Sequence, residues 1–174
     1  MQEMRRNRQA LSPEDCAAVF RRGTSGVLAL EGLDGYPYAV PLSYCYQEGA
    51  LIFHCARSGH KLEAIRRCPK ASFCVIDQDQ VVPEEYTTYF RSVIAFGTVR
   101  ILEDPAELRS AVEALADRYA PELSADYRNG YIDRELDALC MLKLEIAHMT
   151  GKEAKELLQQ REQPAGQQNC KEGV

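Results

Sequence analysis

Four β-prone runs, SGVLALEG, YAVPLSYCY, ALIFHCA and ASFCVIDQ, are separated by turn-forming or helix-forming stretches in the first half of the chain. The first three are joined by LDGYP and QEGA, whose Asp-Gly and Glu-Gly pairs suit tight hairpins, so they read as an antiparallel meander. Pro41 in the second run has no N–H to give a ladder, which predicts an edge strand, a bulge or backbone turned towards a ligand. EYTTYFRSVIAFGTVRILED is a long β-rich stretch that counts as two strand halves, with Gly97 at a bend or bulge where a barrel turns a corner. CMLKLEIAHM alternates with a period of two and predicts a closing strand.

Helical stretches punctuate these runs. Ser12 before Pro13, Glu14 and Asp15 supplies a cap, a proline at the first helical position and acidic residues in the first turn, predicting a helix over 13–22. HKLEAIRRCP predicts a helix with Leu62, Ala64 and Ile65 inward and Arg66 and Arg67 outward, stopped by Pro69. Asp104 caps PAELRSAVEALADRYA, whose Leu108, Ala111, Val112, Leu115 and Tyr119 share one face. A further short helix is expected over 132–138. The pattern defines a mainly β chain with peripheral helices (α+β), one domain over 1–158 and a polar tail over 159–174 whose composition predicts disorder.

Composition narrows the functional classes. The 174 residues are 45% hydrophobic and 27% charged, enough for a sizeable core. A net charge of −5 gives no general attraction for nucleic acid, and no apolar run nears the ~20 residues that span a bilayer, so a cytoplasmic protein is expected. Seven cysteines without a CxxC pair read as reduced thiols. Three histidines without paired spacing predict no metal site, and His148 reads as a capping or surface group.

Candidate chemistry centres on FHCARSGHK. A strand that ends in His54 runs through a basic, glycine-containing loop into a helix start, where free amides, the helix dipole, Arg57, Ser58, His60 and Lys61 suit a phosphate. The alternative is a solvated basic turn, and for His54 a structural histidine bonded to a neighbouring strand. VPLSY, with backbone around Pro41 and the Ser43 hydroxyl, and RSV, with Arg91 and Ser92, add polar groups along the strands. A flat heteroaromatic ring with a phosphate tail, the shape of FMN, fits such a strip. Tyr86, Tyr89 and Phe90 read as interface packing, and Cys55 as an inert thiol on the face opposite His54.

GYPYAVPLSY, FHCARSGHKLEAIRR, SFCVIDQDQVVPEEYTTYFRSVIAFG and HMTGKEA together closely resemble the nitroimidazole-resistance (Nim) proteins of the pyridoxamine 5′-phosphate oxidase-like superfamily, over roughly residues 4–158. The resemblance implies a six-stranded antiparallel split β-barrel of the FMN-binding type and a homodimer with two flavin sites at its interface, with FAD as a possible substitute. It implies that Val40, Pro41, Leu42 and Ser43 line the flavin ring and that His54 lies near the ring and the substrate pocket. His60 and Lys61 match an Arg-Lys phosphate grip, Ser92 matches a flavin-contacting glutamine, and Met149–Lys152 match a segment reaching the cofactor from the other subunit. The activity implied is flavin-dependent reduction of nitroaromatic or related small acceptors, against the alternative of a non-catalytic flavin- or haem-binding module. Tyr38 and Ser43 stand where the oxidases carry an arginine and a lysine, which argues against pyridoxamine phosphate as substrate.

Overall fold

The computed structural model describes residues 7–162. Seven strands form one antiparallel sheet in the order β2-β1-β5-β6-β7-β4-β3: β1 (Ser25–Glu31), β2 (Pro37–Ser43), β3 (Cys45–Gln47), β4 (Ala50–Cys55), β5 (Lys70–Val82), β6 (Thr87–Ile101) and β7 (Cys140–Glu153). β2 and β3 lie at opposite edges yet are consecutive in the chain, joined through Tyr44 alone. That linkage forces the sheet to curl until its two edges meet. The result is a split barrel, in which β2 and β4 approach without pairing and β4 keeps an unpaired edge over 53–55.

The seventh strand departs from the expected six. YAVPLSYCY breaks after Ser43, so β2 pairs with β1 while β3 pairs with β4. Tyr44 causes the break. Its side chain is fully buried, its ring packs against Phe73 (4.9 Å between centroids) and its hydroxyl donates to the Phe20 carbonyl at 2.9 Å. The predicted halves of the long stretch are instead one strand, β6, with a bulge at Phe96/Gly97. A Cβ at Gly97 would collide with the Glu145 carbonyl, so glycine is what lets the two strands close up there.

Five helices surround the sheet: α1 (Pro13–Arg22), α2 (His60–Arg67), α3 (Pro105–Tyr119), α4 (Ala125–Glu135) and α5 (Lys155–Glu162). The predicted caps form, with Ser12 accepting from the Asp15 amide at 3.1 Å and Asp104 from that of Glu107 at 2.8 Å. The Glu48-Gly49 turn has positive φ at both residues (50° and 78°), the hairpin geometry its sequence implies. The helix expected over 132–138 begins seven residues earlier, behind a Ser124 cap, and 136–138 form only a short 3-10 turn. α5 continues to Glu162, past the expected start of the tail at 159; the rest of the tail, with Cys170, lies outside the described residues.

Two cores result. Phe20, Leu28, Tyr44, Leu51, Phe53, Phe73, Val93 and Leu144 fill the barrel, and α2 seals one end with Leu62, Ala64 and Ile65. Outside it, α3 and α4 cover part of the sheet through Val112, Leu115 and Ile132 against Ile52 and Met141. Among the described residues, the outer face of β2, β1, β5 and β6 has no such cover. Its cross-strand rows are Pro41, Val27, Cys74, Ile94 and Thr150, then Ala39, Ala29, Ser72, Phe96 and His148.

Candidate functional site

Alternation along β4 sends Leu51 and Phe53 into the barrel and Ile52 and His54 outward, towards the α3–α4 layer. Ile52 is buried there, while His54, at the strand end, stays exposed. Ser43, where β2 ends, and His54 line one cavity of about 420 Å³, walled otherwise by Val112, Leu115, Tyr119, Ile132 and Met141. A polar pair from two strand ends therefore faces an apolar helical wall. Among the described residues, no hydrogen bond or ion pair holds the His54 ring. This removes the alternative of a histidine bonded to a neighbouring strand.

Tyr119 fixes the corner of this cavity, and the sequence pattern showed it only as the last member of a helix face. Its hydroxyl accepts from the Tyr44 amide at 3.0 Å and lies within hydrogen-bond reach of the Thr24 and Tyr44 carbonyls, the latter at 2.7 Å. One oxygen thus holds the chain where β2 gives way to β3, directly after Ser43. Tyr119→Phe is expected to cost about 1 kcal/mol of unfolding free energy, the net value of a partly buried hydrogen bond, read as a shift in urea midpoint at unchanged slope.

The basic loop leaves β4 at Cys55 and enters α2 at His60. Gly59 caps the helix at φ 123°, a conformation that L-residues rarely adopt, and offers no side chain to the first amides. The N–H groups of His60 and Lys61, the first two helical positions, thus point out of the helix without intrahelical acceptors. The His60 ring meets that of Tyr38 on β2 at 4.5 Å, joining the loop to the flavin-strand candidate. Lys61 lies near enough to Cys55 to draw its thiol down. Burial and the adjoining Cys140 thiol nonetheless push Cys55 up to about 12, so it stays protonated and inert.

The other predicted residues divide by strand face. Pro41 and Ser43 are exposed on β2, whereas Val40 and Leu42 turn inward and pack on the barrel core, as does Met149 on β7. Ser92 and Lys152 stand directly opposite each other across β6 and β7 on the uncovered face. Arg91 turns the other way. It donates to Glu153 at 2.9 Å and Asp77 at 3.1 Å, inside an ionic network, and does not join the site. His148 is exposed, with its ring 6.4 Å from Phe96. Among the described residues, no three His, Cys, Asp or Glu side chains converge where they could hold a metal ion, and no helix is long and apolar enough to cross a membrane.

A seven-stranded antiparallel sheet curled into a split barrel, with five peripheral helices, defines the fold class. Residues 12–153 match the family model described as pyridoxamine 5′-phosphate oxidase, and the chain belongs to that family. Its fold is shared by a candidate 5-nitroimidazole antibiotic resistance protein from Bacteroides thetaiotaomicron (TM-score 0.70, 21% identity, covering 82% of this chain and 85% of that one). A conserved hypothetical protein, Rv2991, from Mycobacterium tuberculosis gives 0.76 at 20% identity over 90% and 92%. An FAD and heme binding protein from Mycobacterium smegmatis gives 0.70 at 26% identity over 84% and 74%. Comparison with curated proteins gives no match.

Proposed function

We propose that the protein is a flavin-dependent oxidoreductase, holding FMN at the barrel seam and reducing nitroaromatic or related small acceptors. The observation that carries the reading is the cavity shared by Ser43 and the unbonded His54, on the strand that runs on into the Gly59–Lys61 loop. The donor types fit a flavin phosphate: two amides without intrahelical acceptors, with Ser58, His60 and Lys61 adjacent in sequence at one helix start. Main chain at Pro41 and the Ser43 hydroxyl would meet the ring, while Val40 and Leu42 anchor that strand in the core. The bound flavin would supply the hydride or electron-pair transfer. His54, protonated on an imidazole nitrogen, would deliver a proton to the acceptor oxygen as it is reduced, and the apolar helical wall would keep water from competing.

The uncovered outer face supports a homodimer. Val27, Ile76 and Val81 are exposed there or on the adjoining β5–β6 hairpin, at 39%, 67% and 69%. A second copy laid on this face would bring Ser92, Lys152 and the Met149–Lys152 segment against the partner's flavin. Non-catalytic binding is the competing reading, favoured by the FAD and heme binding neighbour.

The test is a visible spectrum of the purified protein followed by FMN and FAD titration. Copurifying flavin, or quenched FMN fluorescence at one site per chain, sustains the proposal. NAD(P)H oxidation driven by an added nitroaromatic separates an enzyme from a binding module. Lys61→Ala is expected to weaken FMN binding about tenfold to a hundredfold, the loss of a charge-assisted hydrogen bond, with unfolding unchanged. A colourless protein indifferent to both flavins overturns it.

A further inference from the structure

The cavity at His54 does not end where a small nitroaromatic ring would. A second one, of about 310 Å³, runs along α3 and α4 between Ala120, Leu123, Tyr127 and Arg128. Ala116, Tyr131 and Ile132 line both. The two adjoin at these three side chains, a candidate trough from the strand ends at Ser43 and His54 to the turn between α3 and α4. A volume of several hundred Å³ suits a drug-sized molecule and leaves a lone five-membered ring mostly unsupported.

Its chemistry is graded along its length. Ser43, Tyr119 and Glu135 stand with His54 at one end, whereas the far part is alanine, leucine, isoleucine and tyrosine around Arg128. Tyr119, Leu123, Tyr127 and Tyr131 are 43%, 44%, 60% and 54% exposed, four large apolar side chains standing open to solvent along one stretch. Such a cluster is costly to leave wet and marks a contact surface. Charge selects further. Arg128 is the one arginine or lysine among the described lining residues, and it is engaged by Asp117 at 2.9 Å and by the carbonyls of Ala120, Pro121 and Leu123. Glu135 makes no ion pair among the described residues. An anionic ligand finds no counter-charge here, while a neutral or cationic one does not need it.

We propose that the acceptor taken at His54 is an aromatic ring carrying an apolar tail, neutral or cationic, with the ring at Ser43 and His54 and the tail laid between α3 and α4 as far as Leu123. This rests on the redox reading of the His54 end but is tested apart from it, by binding. The probes are 4-nitroaniline, N-hexyl-4-nitroaniline and the same compound with its hexyl chain ending in a carboxylate, followed by equilibrium dialysis against the full chain.

The hexyl compound is expected to bind about tenfold or more tightly than 4-nitroaniline, since each buried methylene adds affinity, and the carboxylate should abolish most of that gain. Leu123→Asp, at an exposed position that leaves the fold intact, should reduce the gain to about threefold or less, and Ala116→Trp, which fills the shared wall, should do the same. Equal affinity for ring and tailed ring, or a gain that survives both variants, overturns the proposal. A protein that takes up no flavin yet keeps the tail-dependent gain sustains the trough and overturns only the redox reading.

Discussion

Arg91→Ala is expected to lower the free energy of unfolding by about 2–3 kcal/mol, the loss of charge-assisted hydrogen bonds to two carboxylates that each keep a second arginine. Arg91 holds two carboxylates inside the end of the barrel. Glu153 is fully buried and takes Arg91 Nε at 2.9 Å and Arg161 at 2.8 Å. Asp77, 10% exposed, takes Arg91 at 3.1 Å and both ends of the Arg22 guanidinium at 2.6 Å. Arg161 continues to Asp15, which Ser12 also binds, so the chain of charges ties α1, β5, β6, β7 and α5 together. Removing Arg91 leaves Asp77 with Arg22 and the fully buried Glu153 with Arg161 alone, so the cost is that of the lost charge-assisted hydrogen bonds and not that of an unpaired buried charge. A urea melt of the variant against wild type reads it directly; a loss below about 1 kcal/mol would mean that the network is solvated in solution.

The same network makes the fold acid-sensitive. Burial pushes the Asp77 carboxyl up, but the Arg22 and Arg91 guanidinium groups outweigh it and hold it below its ordinary value of 3.8. A carboxyl depressed on folding contributes stability that is complete above its unfolded value and is lost as pH falls through its folded one. Stability should therefore hold steady down to about pH 4 and decline below it, and the decline should flatten in Arg91→Ala. Unfolding free energies measured between pH 2 and pH 6 check this.

Local signals in the sequence carried the elements whose causes are local. The Ser12 and Asp104 caps, the Glu48-Gly49 hairpin and the Gly97 bend each depend on a few adjacent residues, and each is where the pattern puts it. What stayed hidden depends on distant partners. The break at Tyr44 requires Phe20 and Tyr119, neither near it in sequence, so one β-prone run looked like one strand. Arg91 read as a site residue because its partners Asp77 and Glu153 lie 14 and 62 positions away. α4 buries a single residue, Ile132, and carries Gly130 at its middle, too weak a periodicity to place its start. The helical wall of the cavity was lost with it, since α4 supplies Tyr131, Ile132 and Glu135. His54 and the Ser58–Lys61 loop were legible because strand end, glycine and helix start are contiguous.

On the proposed reading, His54→Ala should reduce nitroaromatic turnover by about 10²–10⁴-fold, the usual contribution of a positioned proton donor. The geometry separates this from a folding defect. His54 is exposed at the end of β4, bonds to no described residue, and shares the cavity with Ser43 rather than supporting a neighbour. Its loss should therefore change stability by no more than about 0.5 kcal/mol, as at other surface positions. The phosphate loop begins beyond Cys55 and is held by α2, so FMN affinity should stay within about threefold of wild type. These three measurements, turnover, melting and flavin titration, must separate for the assignment to stand. Undiminished turnover in the variant would leave the proton to come from solvent through the open mouth of the cavity. A lost fold would make His54 structural after all. A turnover loss with fold and flavin intact places the proton donor at His54, which lines the cavity beside Ser43 and bonds to no described residue.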